Sequence, residues 1–140
     1  MIVVDTNVIS EMAKPQPSIS VRRWLDAQPF DALYLTTITM AEMRFGIMVL
    51  PASKRRSFLE AALERTEQLY AGRILSFDQD AARHYADLAT LARAKGKGFP
   101  APDAYIAAIA AANGFIVSTR DTAPFEAAGL GVINPWLSTN

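Results

Sequence analysis

The sequence contains no cysteine and a single histidine, His84, and these two shortages exclude several kinds of chemistry. Without cysteine there can be no disulfide, no thiolate zinc site, no iron–sulfur cluster and no cysteine nucleophile. One histidine cannot provide a histidine acid–base pair or a cage of several imidazoles around a metal. Any catalysis must therefore depend on carboxylates, hydroxyls, lysine, arginine or a bound cofactor.

Net charge and long apolar runs are also missing. Fourteen Lys and Arg residues balance fourteen Asp and Glu residues, so any binding of nucleic acid must be local. The apolar start from Met1 to Val4 meets Asp5 without the segments of a secretory signal, and no apolar stretch reaches the roughly 20 residues of a membrane span. We therefore expect a cytoplasmic protein without membrane contact. The length of 140 residues, about half of them hydrophobic, predicts one domain over residues 1–140.

Short β-branched runs alternate along the chain with segments of helical periodicity. Strands are predicted at residues 2–4, 33–36, 73–77, 115–119 and, as a short fifth strand, 132–134. Helices are predicted at residues 8–12, after Ser18 or Ser20, at 40–50 and 53–70, from Asp78 or Asp80 to Lys95, and from Pro102 to Asn113. This alternation predicts an α/β fold with a central, mostly parallel sheet of four to five strands and helices on both faces. The very apolar run 115–119 predicts a central strand.

Asp5 and Asp121 each follow a predicted strand. The carboxyl ends of parallel strands meet at the sheet edge where α/β folds bind ligands, so both side chains are candidates for a site. Taken alone, each also fits a helix cap or a turn residue, positions where Asp is common.

Asp103 and Glu42 lie in apolar helical segments. Asp103 is the only charged residue between residues 99 and 119, so we expect a buried carboxylate that needs a partner, a metal or a proton, unless the helix dipole stabilises it. Glu42 shares residues 38–50 with one other charge, Arg44, and side chains two positions apart do not face each other on a helix. An exposed stripe of a half-buried helix is the alternative for Glu42.

Four carboxylates in one crevice would raise each other's pKa unless a divalent cation were bound there. Oxygen ligands without histidine or cysteine favour Mg²⁺ or Mn²⁺ over zinc. Such an ion can orient and polarise a phosphate and lower the pKa of a bound water, which supplies a nucleophile without histidine.

Several short motifs occur in a fixed order along the chain: VDTNVISE at residues 4–11, TMAEMRFGI at 39–47, PDAYIAA at 102–108 with ANG at 112–114, VSTRD at 117–121, and a tail over residues 125–136. Together they resemble the PIN-domain ribonucleases, specifically the VapC-type, FitB-like toxins of type II toxin–antitoxin pairs. The similarity covers essentially the whole chain.

The resemblance implies a PIN-like α/β/α sandwich with a catalytic quartet formed by Asp5, Glu42, Asp103 and Asp121. Within this quartet, Asp5 and Asp103 match the positions that hold the metal. The matching positions of the supporting polar residues are those of Asn7 and Thr119.

The resemblance further implies a Mg²⁺- or Mn²⁺-dependent endoribonuclease that hydrolyses phosphodiester bonds in RNA. It also implies a homodimer and inhibition by a cognate VapB-type antitoxin whose C-terminal segment occupies the acidic groove. The basic residues that flank the quartet in sequence are candidates for contact with the RNA backbone: Arg44, Arg120, Lys95 and Lys97. Solvated loop charges are the alternative for the two lysines, and the basic runs 22–23 and 54–56 are predicted to be solvated helix faces.

Two other functions stay open. A phosphotransferase or receiver-like module also uses an Asp after the first parallel strand together with Mg²⁺, although the haloacid dehalogenase type needs a second Asp where Asn7 stands. A degenerate PIN-like module that binds RNA or protein without cleavage differs from an active enzyme by single side chains.

Overall fold

The structure is a computed structural model that describes residues 1–138. Its five strands form one parallel sheet in the order β3-β2-β1-β4-β5. The strands are β1 (Ile2–Val4), β2 (Leu33–Thr36), β3 (Ile74–Leu75), β4 (Ile116–Ser118) and β5 (Val132–Ile133). The helices are α1 (Thr6–Met12), α2 (Ile19–Ala27), α3 (Thr37–Met48), α4 (Lys54–Leu69), α5 (Gln79–Ala94), α6 (Ala101–Asn113) and α7 (Thr122–Ala127). Short 3-10 turns lie at Phe30–Ala32 and Pro135–Leu137.

Helices cover both faces of this sheet, as the alternating sequence pattern predicts. Ile2 and Val4 of β1 point to a core built with α1, α2, α3 and α4. Val3, on the opposite face, packs with α6 and α7, and α5 packs on α6 in a neighbouring cluster. Successive side chains of a strand point to opposite faces, so the buried run Ile-Val-Val serves two cores at once. The predicted fold class is therefore confirmed.

The order of the strands reverses between β1 and β4, which are hydrogen-bonded neighbours in the sheet. In open α/β sheets the loops on the two sides of such a reversal diverge, and ligands bind in the crevice between them at the carboxyl ends of the strands. Asp5 leaves β1 at this point, and Thr119 leaves β4 beside it. The topology therefore brings the first and last of the predicted site segments together.

Several predicted boundaries differ from the structure. Helix α1 begins two residues before the predicted start because the Asp5 side chain caps it by accepting the backbone N–H of Thr6. Strand β3 is limited to two residues. Strand β4 lies inside the sheet, but the middle strand is β1. Helix α7 was not predicted from the sequence, since its six residues are too few for a periodic pattern.

None of the helices in residues 1–138 combines the length and the hydropathy that a membrane span requires.

Candidate active site

Asp5 lies at the carboxyl end of β1 and is only 3% exposed. One carboxylate oxygen accepts the backbone N–H of Thr6 at 2.8 Å, and the other accepts the hydroxyl of Thr119 at 2.7 Å. The backbone N–H of Asp5 donates to the carbonyl of Ser118 at 3.0 Å. Burial raises the pKa of Asp5, and the two hydrogen bonds from Thr119 and Thr6 oppose that rise. The carboxylate is therefore held in one orientation between β1 and β4.

Glu42 enters the same region from α3 and is half-buried. The hydroxyl of Thr6 donates to its Oε1 at 2.7 Å. Because a hydroxyl carries one proton, Thr6 must accept its 2.9 Å hydrogen bond from the hydroxyl of Thr39. Thr36 in turn donates to Thr39 at 3.4 Å. A chain of three hydroxyls thus runs from the end of β2 to the Glu42 carboxylate.

The Thr119 hydroxyl forms three hydrogen bonds in the site. Its hydroxyl donates to Asp5 and accepts the side-chain amide of Asn7 at 3.2 Å and the backbone N–H of Asp121 at 3.1 Å. The side-chain carbonyl of Asn7 accepts the backbone N–H of Arg120 at 3.3 Å. Asn7 and Thr119 therefore fasten the loop after β4 to the start of α1, which positions Asp121.

Asp103 stands in the first turn of α6 and is half-buried. Its pKa is raised from 3.8 to about 6, first by burial and then by the negative charges of Asp5, Glu42 and Asp121. Charges raise the pKa of a carboxyl group in this way only when they lie near it. The structure therefore brings the four sequence-predicted acids together.

The four candidate acids are not all buried. Asp121 is exposed, since the loop after β4 carries it to the surface. A fifth acid, Glu11, is 6% exposed and was missed; it accepts the Lys14 ammonium at 2.8 Å and the backbone N–H of Ser18 at 3.0 Å. These contacts hold the turn between α1 and α2, and they lower the pKa of Glu11.

The donor set fits a hard divalent cation. Within residues 1–138, no three acidic or histidine side chains are arranged so that they alone could hold a metal. Mg²⁺ keeps several of its waters and is commonly bound through one or two carboxylates, so it does not need three. The oriented, buried Asp5 and the nearby Asp103, whose charge is disfavoured without a counterion, supply that kind of site.

The four basic residues predicted to contact RNA occupy different positions. Arg44 pairs with Glu67 of α4, and the guanidinium of Arg120 lies 5.0 Å from the ring centre of Trp136. Lys95 donates to the carbonyl of Ala127 at 3.0 Å. Lys97 lines a cavity of about 330 Å³ together with Asp103 and Asp121. Of these four cations, Lys97 shares a cavity with two quartet acids, whereas Arg44, Arg120 and Lys95 each contact another part of the protein.

Two threonines were missed as site residues. Thr6 contacts both Asp5 and Glu42, and Thr39 supports Thr6. Thr6 could have been found because it lies between two predicted site residues, Asp5 and Asn7. Thr39 opens the motif at residues 39–47, but its contact with Thr6, 33 residues away, gave no signal in the sequence.

Comparison with known proteins gives a consistent result. The family model described as PIN domain matches residues 2–130 of the chain. VapC ribonuclease Y4jK from Sinorhizobium fredii is 55% identical over 137 residues, which cover 97% of this chain and 98% of that protein. Toxin FitB from Neisseria gonorrhoeae is 45% identical over 137 residues, which cover 97% of this chain and 99% of that protein.

The chain is also similar in fold to a solved structure. The crystal structure of FitAcB from Neisseria gonorrhoeae superimposes with a TM-score of 0.94 at 45% sequence identity, over 99% of this chain and 100% of that chain.

Proposed function

The chain belongs to the PIN domain family, and from this premise we propose that it is the toxin of a type II toxin–antitoxin pair and acts as a metal-dependent endoribonuclease. Membership of this family separates the chain from the phosphotransferase and receiver-like modules. We propose that residues 1–140 form one PIN domain, with RNA as the substrate and a VapB-type antitoxin as the inhibitor.

The observation that carries the proposal is that burial, and after it the negative charges of Asp5, Glu42 and Asp121, raise the pKa of Asp103 to about 6. Such an arrangement costs stability unless it serves a cation. In the proposed site Asp5 and Asp103 hold Mg²⁺ or Mn²⁺. When bound, such an ion supplies positive charge to a phosphate and lowers the pKa of a coordinated water.

The chain's own groups then have separate roles. Thr6 and Thr119 hold the Asp5 carboxylate in a single orientation. Because the carboxylate is already oriented, no free energy is needed to reorient it during the reaction. Glu42, oriented by the Thr6 hydroxyl, and Asp121, positioned by Thr119, complete the pocket and orient the attacking water. Lys97, beside Asp103 and Asp121, is placed to contact a phosphate of the bound strand.

A homodimer is supported by exposed apolar side chains at the end of α3. Phe45, Met48 and Val49 are 65%, 69% and 65% exposed. Side chains of this kind clustered on a surface are typical of protein interfaces. Sedimentation of the purified chain would test the dimer.

The experiment that tests the nuclease is cleavage of single-stranded RNA by the purified chain, with Mg²⁺ or Mn²⁺ and with excess EDTA. We expect cleavage only with the metal, and a loss of more than about 100-fold in Asp5→Asn and Asp103→Asn. Asp87→Asn, an exposed acid on α5, is the matched control and should retain full activity. Cleavage that resists EDTA would contradict the proposal. Metal binding without cleavage of any RNA would instead favour the degenerate binding module.

A further inference from the structure

A groove leaves the acidic site between α1, α3 and α4. Its inner part, of about 300 Å³, is lined by Thr6, Glu42, Gly46 and Arg55, among others. Its outer part, of about 460 Å³, is lined by residues that include Arg55 and Arg65. The two parts adjoin, because they share Ala13, Arg55 and Leu59, and together we call them the α1–α4 groove.

The outer part of the α1–α4 groove is basic. Its charged lining residues are Lys14, Arg55 and Arg65, with no acid among them. Lys14 is paired with Glu11, but Arg55 and Arg65 form no ion pair within residues 1–138. Arg56, which immediately follows Arg55, does have such a partner in Glu60 at 2.8 Å. The charges of Arg55 and Arg65 are therefore available to a ligand, and both residues line a groove that leads to the quartet.

Gly46 gives a second, independent indication that the groove is kept open. It lies one helical turn after Glu42 on α3, so the two residues face the same groove. Its backbone is not in the left-handed region, and a Cβ built there would meet nothing within 4 Å. The fold therefore does not require glycine, which is less favourable than alanine inside a helix. A side chain at this position would instead project into the path between Glu42 and Arg55.

We propose that the α1–α4 groove binds the single-stranded RNA that flanks the cleaved bond, with Arg55 and Arg65 on different phosphates and Gly46 leaving room for the strand; this inference rests on the proposed nuclease function. Phe58, which lines the same outer part and is 61% exposed, offers a ring on which a base can stack. Cations together with an exposed aromatic ring are typical of single-stranded nucleic-acid binding, and they favour RNA over an acidic peptide, which has no flat bases.

The test measures binding of a fluorescein-labelled single-stranded RNA of about 12 nucleotides in the presence of Mg²⁺, using Asp5→Asn as the background to prevent cleavage. Arg55→Gln and Arg65→Gln should each raise Kd about fivefold. The slope of log K against log salt should become shallower by about 0.7 for each arginine removed. Lys54→Gln is the matched control, because it removes a neighbouring exposed cation that does not line the groove, and it should change Kd less than about twofold.

Gly46 is tested in the same assay. Gly46→Gln should weaken RNA binding about tenfold by obstructing the groove, whereas Gly46→Ala adds only a methyl group and should leave Kd within about twofold. Thermal melting of each variant checks that the fold is intact, and Gly46→Ala should melt higher than the background protein.

Unchanged Kd and salt slope in the two arginine variants, or an effect equal to that of Lys54→Gln, would overturn the inference. So would an oligoglutamate peptide that binds the background protein but not Arg55→Gln while RNA affinity is unchanged, since the groove would then serve an acidic protein segment. Failure of the proposed function is a separate result: the wild-type chain would not cleave RNA, although the arginine variants would still lose RNA binding.

Discussion

Replacing Asp103 by asparagine is expected to stabilise the fold at neutral pH while it removes the proposed cleavage activity. The side chain carries a pKa of about 6 in the folded protein, against an ordinary value of 3.8. Between these two values the folded state binds more protons than the unfolded state, so the free energy of unfolding falls as the pH rises from about 4 to about 6 and stays lower above that range. Asparagine removes this loss because it cannot ionise.

The magnitude follows from the shift. Roughly two pKa units at about 1.36 kcal/mol each give a ceiling of about 3 kcal/mol. Asp103 is only half-buried, and as a carboxylate in the first turn of α6 it gains from the helix dipole, so we discount this to about 1.5 kcal/mol. For a chain of this length the corresponding rise in Tm is about 6 °C at pH 8 and near zero at pH 4.

The assay is thermal and urea unfolding of the wild type and Asp103→Asn in EDTA at pH 4, 6 and 8, with Asp87→Asn as the exposed control. Added Mg²⁺ should stabilise the wild type and narrow the difference, because a bound cation removes the repulsion that the substitution relieves. If Asp103→Asn were no more stable than the wild type at pH 8, or if the difference did not depend on pH, the reasoning about the shared crevice would be refuted.

Substitutions at three further positions test other parts of the structure. Thr6→Val removes the hydroxyl that orients Glu42 and should lower kcat/KM for RNA cleavage about 10- to 100-fold, whereas Thr6→Ser should retain most activity. The hydrogen bond from Lys14 is the main reason that the pKa of Glu11 lies below its ordinary value of 4.5. The Glu11 carboxylate therefore stabilises the fold above pH 4.5, and this contribution is lost as the pH falls through the pKa of the folded protein. Glu11→Gln should therefore lower Tm at pH 7, and in thermal melts the difference should vanish in acid; a difference that persists there would contradict this assignment. Gly131→Ala would bring a Cβ to 2.8 Å from the Cγ2 methyl of Ile116, so the free energy of unfolding in urea should fall by about 1 kcal/mol. An unchanged urea midpoint would show that the chain relieves this contact without loss of stability.

Local signals allowed much of the architecture to be predicted. The β-branched run before Asp5, the Ser18 cap and the Pro and Gly that bound α6 act over a few residues, and the structure confirms each of them. The ends of elements were less predictable. The shortness of β3 depends on how far its partner strand extends, which no property of its own residues reveals.

The composition of the candidate site could also be predicted, but its internal connections could not. An alternating β/α pattern places residues that follow strands at one sheet edge, which is enough to bring Asp5 and Asp121 together. The contact of Thr6 with Glu42 joins residues 36 positions apart, and the pairing of Arg44 with Glu67 depends on how α3 packs on α4. Such contacts require the relative positions of whole helices.

The sequence by itself therefore determined the chemistry available to this protein: carboxylates without imidazole or thiol, arranged on segments that an α/β fold brings to a common edge. Only the tertiary structure decided which of those groups are buried and what each one contacts. It exposed Asp121, buried Glu11, and turned Arg55, predicted to lie on a solvated helix face, towards a groove that begins at Glu42. The physical reason is that residue type and spacing set local conformation, whereas burial, pKa and the lining of a groove depend on distances between segments remote in the chain.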